Sequence, residues 1–449
     1  MKKFVWILLL VCLVLGCVVG YAASRGEAKA HLPSPLYAPE STPVGADSIP
    51  ALSGDIVIVE QNGEEGQEQE GSDVQISEEL EIEQDAHDAD VPSDAQSYVP
   101  VPGLDYDKIR ALHEPEDVVA VVEGRDVTWD EYFYWLRDVG MQAENYVQML
   151  ALYSQSLDWD DKLSADSEQT LAEYVIELTH DNIRQLAVVE TVAEENGVTL
   201  TREDEADLAE QLKETIASVC GEGATEADFN AFLEENHISR TMYDRITRAN
   251  YLYRDTYIAL YGKNGEKVPD ENALAYLEKN NYLSAAHILF MTIDPDTYEA
   301  LDEDTIAQKR AQAEEAAAEL RAIDNEGTRA RRFAVLKEKY CEDPGRVDFP
   351  DGYLFTPGTM VDEFEDCVKA LEEYEVSEPV LSSFGYHVIM RLPLDPDMTI
   401  QYSDEETPLT GRAICADSDF TAMLNDRIVG CSVTLKGAAI DLTQFLKEE

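Results

Sequence analysis

The chain of 449 residues carries 34 Lys and Arg against 92 Asp and Glu, a formal charge of −58, and 44% of its residues are apolar. That length fits two or three domains with ample core, and the apolar share excludes wholesale disorder. The charge excludes nucleic acid, because phosphate binding needs clustered Lys and Arg; it disfavours an anionic membrane surface and leaves cationic polypeptides as partners.

Lys2 and Lys3 precede an uncharged apolar run from Phe4 to Ala23. A positive start followed by such a run reads as an export signal or membrane anchor over residues 1–24, since about 20 apolar residues also suffice to span a bilayer. Val14-Leu15-Gly16-Cys17 resembles a bacterial lipobox, which makes Cys17 a lipidation candidate. The other readings are a retained signal anchor and cleavage after Ala22 or Ala23. All three place the rest of the chain outside the cytoplasm. Membrane contact is then expected through the N-terminal segment only.

Residues 25–103 read as an acidic disordered linker. Pro33, Pro35, Pro39, Pro43 and Pro50 are followed by acidic runs at 64–71 and 78–83. Such composition buries too little apolar surface to offset chain entropy. A coil of this length spans roughly 50 Å, enough to hold a folded part away from a membrane.

Order is expected from residue 104, and residues 104–283 read as an all-helical domain. Val118–Val122 is a strand-type run, and Thr128 with Glu131 fits a capping box opening an aromatic helix. Leu171, Val175, Leu178 and Leu186 mark one face of a helix ended by Gly197. Thr201 and Ser239 cap two more, the second with Met242, Ile246, Ala249, Tyr253 and Tyr257 on one stripe. At Ser284 the texture changes. Ala285–Phe290 reads as a buried strand, followed by helices at 304–323 and 328–340. Short strands at 353–355 and 380–382 flank a helix at 362–373, and 387–392 forms the last strand. Residues 284–394 are therefore predicted as a compact α+β domain. Residues 395–449, with a short helix near 420–427 and another near 442–447, are predicted to pack on the helical domain.

The seven cysteines suggest no disulfide framework and no zinc site; one bridge, Cys415–Cys431, is conceivable. No nucleophile elbow, zincin motif, phosphate-binding loop or dinucleotide fingerprint occurs. Two of the seven histidines, His287 and His387, frame the 284–394 block.

That block resembles the parvulin peptidyl-prolyl isomerases. The resemblance rests on the A-A-H-I-L opening, Tyr340-Cys341-Glu342-Asp343, Gly352-Tyr353-Leu354, Gly358 to Glu365, Ser377-Glu378-Pro379-Val380, and Phe384 to Ile389. It implies a polar catalytic cluster of His287, Asp343 and His387, and a proline-binding pocket of Leu354, Met360 and Phe364. It implies no cofactor and no metal. Three departures stand out: Tyr353 replaces an Asp, the stretch from Gly352 to Met360 is about two residues short, and Tyr374 occupies a turn position where glycine is common. A non-glycine residue at positive φ there costs about 1 kcal/mol. The basic loop of phosphate-directed parvulins is not evident.

The wider organisation is similar to extracytoplasmic foldases of the PrsA/SurA type, in which a helical chaperone domain flanks the parvulin insert. On that likeness Tyr243, Tyr251 and Tyr261 are candidates for an aromatic client surface. The expected function is an extracytoplasmic isomerase and chaperone for unfolded or nascent exported polypeptides with X-Pro bonds. The alternatives are a non-catalytic holdase with a degenerate parvulin scaffold, and an acidic cell-envelope spacer or adhesin.

Overall fold

A computed structural model describes residues 101–447 except 153–155, 165–166, 296 and 403–407. The export signal, Cys17 and nearly all of the acidic linker lie outside the described residues.

The N-terminal elements are α1 (Tyr106–Arg110), β1 (Val118–Val122), β2 (Arg125–Thr128), α2 (Trp129–Leu152) and α3 (Leu171–Glu195). Four helices follow: α4 (Arg202–Cys220), α5 (Glu226–Glu235), α6 (Arg240–Tyr261) and α7 (Asp270–Lys279). Then come β3 (Leu283–Met291), α8 (Glu303–Arg321), α9 (Glu326–Tyr340), β4 (Tyr353–Phe355), α10 (Asp362–Ala370), β5 (Val380–Leu381) and β6 (Gly385–Arg391). The chain closes with β7 (Thr399–Tyr402), β8 (Pro408–Thr410), α11 (Gly411–Gly430) and β9 (Val433–Leu435). The class is α+β, mainly helical with small antiparallel sheets.

Two compact units divide the chain. The first holds 114–134 and 180–438. Of the described residues, the second holds 101–113, 135–179 and 439–447. In the second, residues 103–105 pair with the C-terminal segment through Asp105 N–H to Phe445 O (2.7 Å) and Lys447 N–H to Gly103 O (2.8 Å). Glu144 there accepts from the main chain of Leu104 at 2.6 Å, and the Trp159 indole donates to Pro102 O at 2.9 Å.

In the first unit, β1 lies between β2 and β9, so the C-terminal strand completes the opening hairpin. Thr201 and Thr225 make full capping boxes with Asp204 and Asp228, and the Ser239 hydroxyl accepts from Met242 N–H. Each such cap satisfies an orphan donor and is worth about 1 kcal/mol. At Thr128 the outcome differs. Its hydroxyl does accept from Glu131 N–H, but the Glu131 side chain turns to Arg125 and Arg245 instead of closing the box.

The helix expected near 420–427 is instead the 20-residue α11. Its buried face, Ala413, Ala416, Phe420 and Leu424, has helical spacing interrupted in the sequence by Asp417, Ser418 and Asp419. Phe420 packs edge-on against Tyr253 and Tyr257. Cys415 and Cys431 bracket most of this helix, so the conceivable bridge does not form. Sixteen residues of helix put them about 24 Å apart, far beyond disulfide reach. Both are buried free thiols. The β7–β8 hairpin was not anticipated.

Residues 283–391 build a four-stranded sheet in the order β4-β3-β6-β5, antiparallel throughout. β3 is buried without interruption from Ser284 to Phe290 because both its faces are covered. One face sends Ala286, Ile288 and Phe290, with Val388 and Met390 of β6, against Ala313, Ala317 and Leu320 of α8 and Phe333 and Leu336 of α9. Each such fully buried Leu or Phe contributes about 1.5–3 kcal/mol. The other face sends Ala285 and Ile389 against Phe364 and Val368 of α10. Tyr374 does take positive φ, at 60°. Its carbonyl accepts from Arg329 at 2.8 Å, which helps hold the turn despite the side chain.

Candidate active site

The site is a consequence of sheet register. His287 lies opposite Ile389, and His387 lies opposite Leu289. The two histidines are therefore diagonal neighbours on one face, within reach of long side chains. Their rings stack at 5.1 Å between centroids, with the two Nδ1 atoms 3.0 Å apart.

Asp343 reaches them from the end of α9. The Glu342 N–H bonds to Leu289 O (2.9 Å), and the Cys341 thiol lies against His287 O, so this segment lines the half of β3 that β4 leaves unpaired. Asp343 then caps the 3₁₀ turn Pro344–Arg346 with Oδ1, which accepts from Gly345 N–H at 3.0 Å. Its Oδ2 meets His287 Nε2 at 2.7 Å and accepts from the Tyr353 hydroxyl at 2.5 Å. At the other end, Ser382 Oγ meets His387 Nε2 at 2.7 Å and accepts from Phe384 N–H at 3.1 Å.

One assignment of protons gives every donor a partner. Ser382 donates to His387 Nε2, His387 Nδ1–H to His287 Nδ1, and His287 Nε2–H to the Asp343 carboxylate. Burial raises the Asp343 carboxyl, yet the hydrogen bonds from His287 and Tyr353 outweigh it and bring the group down to about 2. Burial, with the neighbouring His287, lowers His387 to about 3, so it is a neutral imidazole.

Phe364, at the start of α10, stands edge-on to both imidazoles, 5.4 Å from His287 and 5.7 Å from His387. Met360 is partly buried against the same cluster. The loop carrying it is fixed by Glu365, whose Oε1 accepts from Gly358 and Met360 N–H at 2.7 and 3.0 Å.

Of the six residues expected from the sequence, the structure brings together His287, Asp343, His387, Met360 and Phe364. Leu354 is not among them. It points to the opposite face, packing with Leu277 and Met398, while its neighbours Tyr353 and Phe355 join the Phe364 cluster. Alternation along β4 dictates this. Ser382 and Tyr353 were missed as site residues; Ser382 lies two residues before the F-G-Y-H segment, and a hydroxyl five residues before a strand histidine was the available signal. Among the described residues, no group of three or more His, Cys, Asp or Glu could hold a metal ion.

The two low values have a testable consequence. The unfolded chain protonates its histidine below about 6.5, whereas folded His387 refuses a proton until about 3. Stability from this residue is therefore complete above pH 6.5 and is lost as pH falls toward 3. At about 1.4 kcal/mol per pH unit, roughly 2 kcal/mol disappears between pH 6.5 and 5. Asp343 acts in the same sense lower down, its contribution present above 3.8 and lost toward about 2. Urea melts of wild type and His387→Asn across this range should differ in slope; parallel curves would remove His387 from the acid response.

A buried imidazole pair, a charged acceptor and an apolar rim on one sheet face define a class, the parvulin-type isomerase domain. The family model of the rotamases, the PPIC-type PPIASE domain, matches residues 287–392, and this block is a domain of that type. The particular proteins the chain resembles are PrsA and SurA. It is 30% identical over 189 residues to foldase protein PrsA 4 of Bacillus cereus, covering 37% of this chain and 65% of that protein. It is 26% identical over 244 residues to the foldase protein PrsA of Oceanobacillus iheyensis, covering 51% of this chain and 67% of that one. The crystal structure of PrsA from Bacillus subtilis aligns at 17% identity over 71% of this chain and 92% of its own, with a TM-score of 0.22, which carries no argument about the fold. The chain thus spans just under two thirds of the length of the Bacillus cereus relative.

Proposed function

We propose that the chain is an extracytoplasmic peptidyl-prolyl isomerase and chaperone acting on exported polypeptides, tethered to the membrane by its N-terminal segment. The observation that carries this reading is the hydrogen-bonded run Ser382–His387–His287–Asp343 flanked by Phe364 and Met360. The curated relatives are named foldases and chaperones, which agrees with it. The export-type N-terminus supports the location, with Cys17 as the proposed lipid-bearing residue; the mass of the mature N-terminus reads this directly.

The chemistry needs no covalent step. Rotation about X-Pro is opposed by a barrier of about 18–20 kcal/mol from amide resonance, and it takes tens of seconds or longer unaided. The twisted amide has lost that resonance and its charge separation. An apolar surface at Met360, backed by the buried Phe364 ring, therefore favours it over the planar ground state. The imidazoles act by position: their ring nitrogens are engaged by Ser382, by each other and by Asp343, so they order the floor of the site, and neither is poised as a nucleophile.

A proline-limited refolding assay with the full chain tests this. His287→Ala/His387→Ala is expected to lose tenfold or more in kcat/KM, about 1.4 kcal/mol or more of transition-state stabilisation. Equal rates in the two proteins would eliminate the enzymatic half of the proposal. The packing of Leu354 on the opposite face of the sheet, away from Met360 and Phe364, favours a second reading, a holdase without catalysis. That reading predicts suppressed aggregation of a denatured client with no isomerase rate.

A further inference from the structure

We propose that Tyr353 is the positioning residue of the histidine pair: its hydroxyl holds Asp343 as the charged acceptor that orders both imidazoles. This rests on the isomerase reading for its consequence in catalysis, though not for its geometry.

Four observations carry it. First, the Tyr353 hydroxyl and His287 Nε2 meet the same carboxylate oxygen, at 2.5 and 2.7 Å, while Gly345 N–H takes the other. Tyr353 is thus the one side-chain donor on Asp343 that lies outside the histidine pair. Second, its ring is fixed between two neighbours, tilted on Phe349 at 5.1 Å and edge-on to His287 at 5.6 Å. The hydroxyl has little freedom to leave. Third, room for it exists only because residue 345 is glycine: a Cβ there would come within 2.5 Å of the hydroxyl oxygen. Fourth, burial and the hydrogen bond to Asp343 push the Tyr353 hydroxyl up, so it remains a donor throughout the working range of pH.

The physical role follows from the order of donors. As long as Asp343 is a carboxylate it can only accept, so His287 must present Nε2–H to it and Nδ1 as an acceptor. That choice forces Nδ1–H on His387 and leaves Nε2 to accept from Ser382. A protonated or rotated Asp343 releases His287 to either tautomer, and the order is lost along the whole chain. A hydrogen bond to a charged group is among the stronger kinds, so a single donor can decide this.

The charged and titratable groups around Asp343 are His287 on β3, His387 on β6, Lys337 and Cys341 at the end of α9, Tyr353 on β4, and Arg346, Asp348 and Asp351 between α9 and β4. None but Tyr353 changes in the variants below.

The test uses the full chain, isotope-labelled at aspartate and histidine. In Tyr353→Phe the ring and its packing remain and only the donor is removed. The Asp343 carboxyl signal is expected to titrate about one pH unit higher, and the ring nitrogens of His287 and His387 to shift toward mixed tautomers. In the refolding assay kcat is expected to fall about tenfold with KM within twofold of wild type. Gly345→Ala, which displaces the hydroxyl without altering any group of the chain, should reproduce the same spectral shifts. If Asp343 and both imidazoles in Tyr353→Phe give wild-type signals, the proposal is wrong. If those signals move while wild type itself shows no isomerase rate, Tyr353 keeps its role and the isomerase reading falls.

Discussion

Alanine at Gly385 is expected to unfold the sheet that carries the site, at a cost of about 4 kcal/mol or more. Gly385 opens β6 with φ of 148°, a conformation that L side chains rarely adopt. An added Cβ would overlap the carbonyl oxygen of Phe290 and approach Met291 Cα and Thr292 N to 2.9 Å. All three are main-chain atoms of the central strand or its immediate continuation. No side chain can swing aside to make room, so the two strands themselves must separate. The same residue holds the β5–β6 turn through Ser382 N–H to Gly385 O (2.9 Å), with Thr292 N–H to Phe384 O (3.0 Å) beside it. Separation there would carry Ser382 and His387 away from His287. Losses of this size are uncommon and belong to a short list of mechanisms, of which main-chain overlap at a special φ is one. Gly430→Ala is the matched control, because a Cβ there meets nothing within 4 Å. Denaturant melts should show a large fall in midpoint for the first variant and little change for the second. A Gly385→Ala protein within 1 kcal/mol of wild type would mean that β3 and β6 can part without cost.

The glycine of the F-G-Y-H segment is therefore a steric requirement of the strand pair, and this explains why so much of the block was legible in the sequence. Strand periodicity, the strand bounds and the two histidines are set by local pattern and by one register. Once the antiparallel pairing of β3 with β6 is given, His287 and His387 share a face by parity alone. Leu354 was misplaced for the converse reason. β4 is three residues long, too short for alternation to reveal which side faces the site, and the two missing residues before Met360 shift the family pattern against this chain. Tyr243 and Tyr251 show a similar limit. Proposed as client-facing, both are buried, Tyr243 edge-on to Phe229 at 5.0 Å and Tyr251 beneath the Arg254 guanidinium. Helical spacing identifies a face and gives no direction to it when every face carries aromatics. Tyr353 registered in the sequence as a departure from the family, and only the fold shows what it touches.

The capping box at Thr128 failed as a motif because a stronger demand claimed its glutamate, and this sets the second large expectation: Glu131→Ala should cost the first unit about 3–5 kcal/mol. Glu131 is fully buried, and its two oxygens accept from Arg125 and Arg245, each at 2.8 Å. Both guanidiniums also bind Glu190, at 3.0 Å from Arg125 and 2.6 Å from Arg245. Two guanidiniums and two carboxyl groups thus alternate in a closed ring joining β2, α2, α3 and α6. Removing Glu131 leaves two guanidiniums sharing one carboxylate with their other donors turned toward the site of the lost side chain. The cost comes mainly from guanidinium donors left without their acceptor and from two cations crowded on one carboxylate, rather than from the lost attraction alone. Exposed pairs such as Lys213–Glu210 or Arg310–Glu314 should change stability by less than about 1 kcal/mol when broken. The distinction is measurable in one series of melts. Glu131→Ala should fall far below wild type and Glu210→Ala should not. Arg245→Ala in the Glu131→Ala background should cost less than Arg245→Ala alone, because the cation it removes has already lost one of its two carboxylates. Strict additivity in that cycle would show that the four residues do not act as a ring, and that β2 is held to α6 by packing alone.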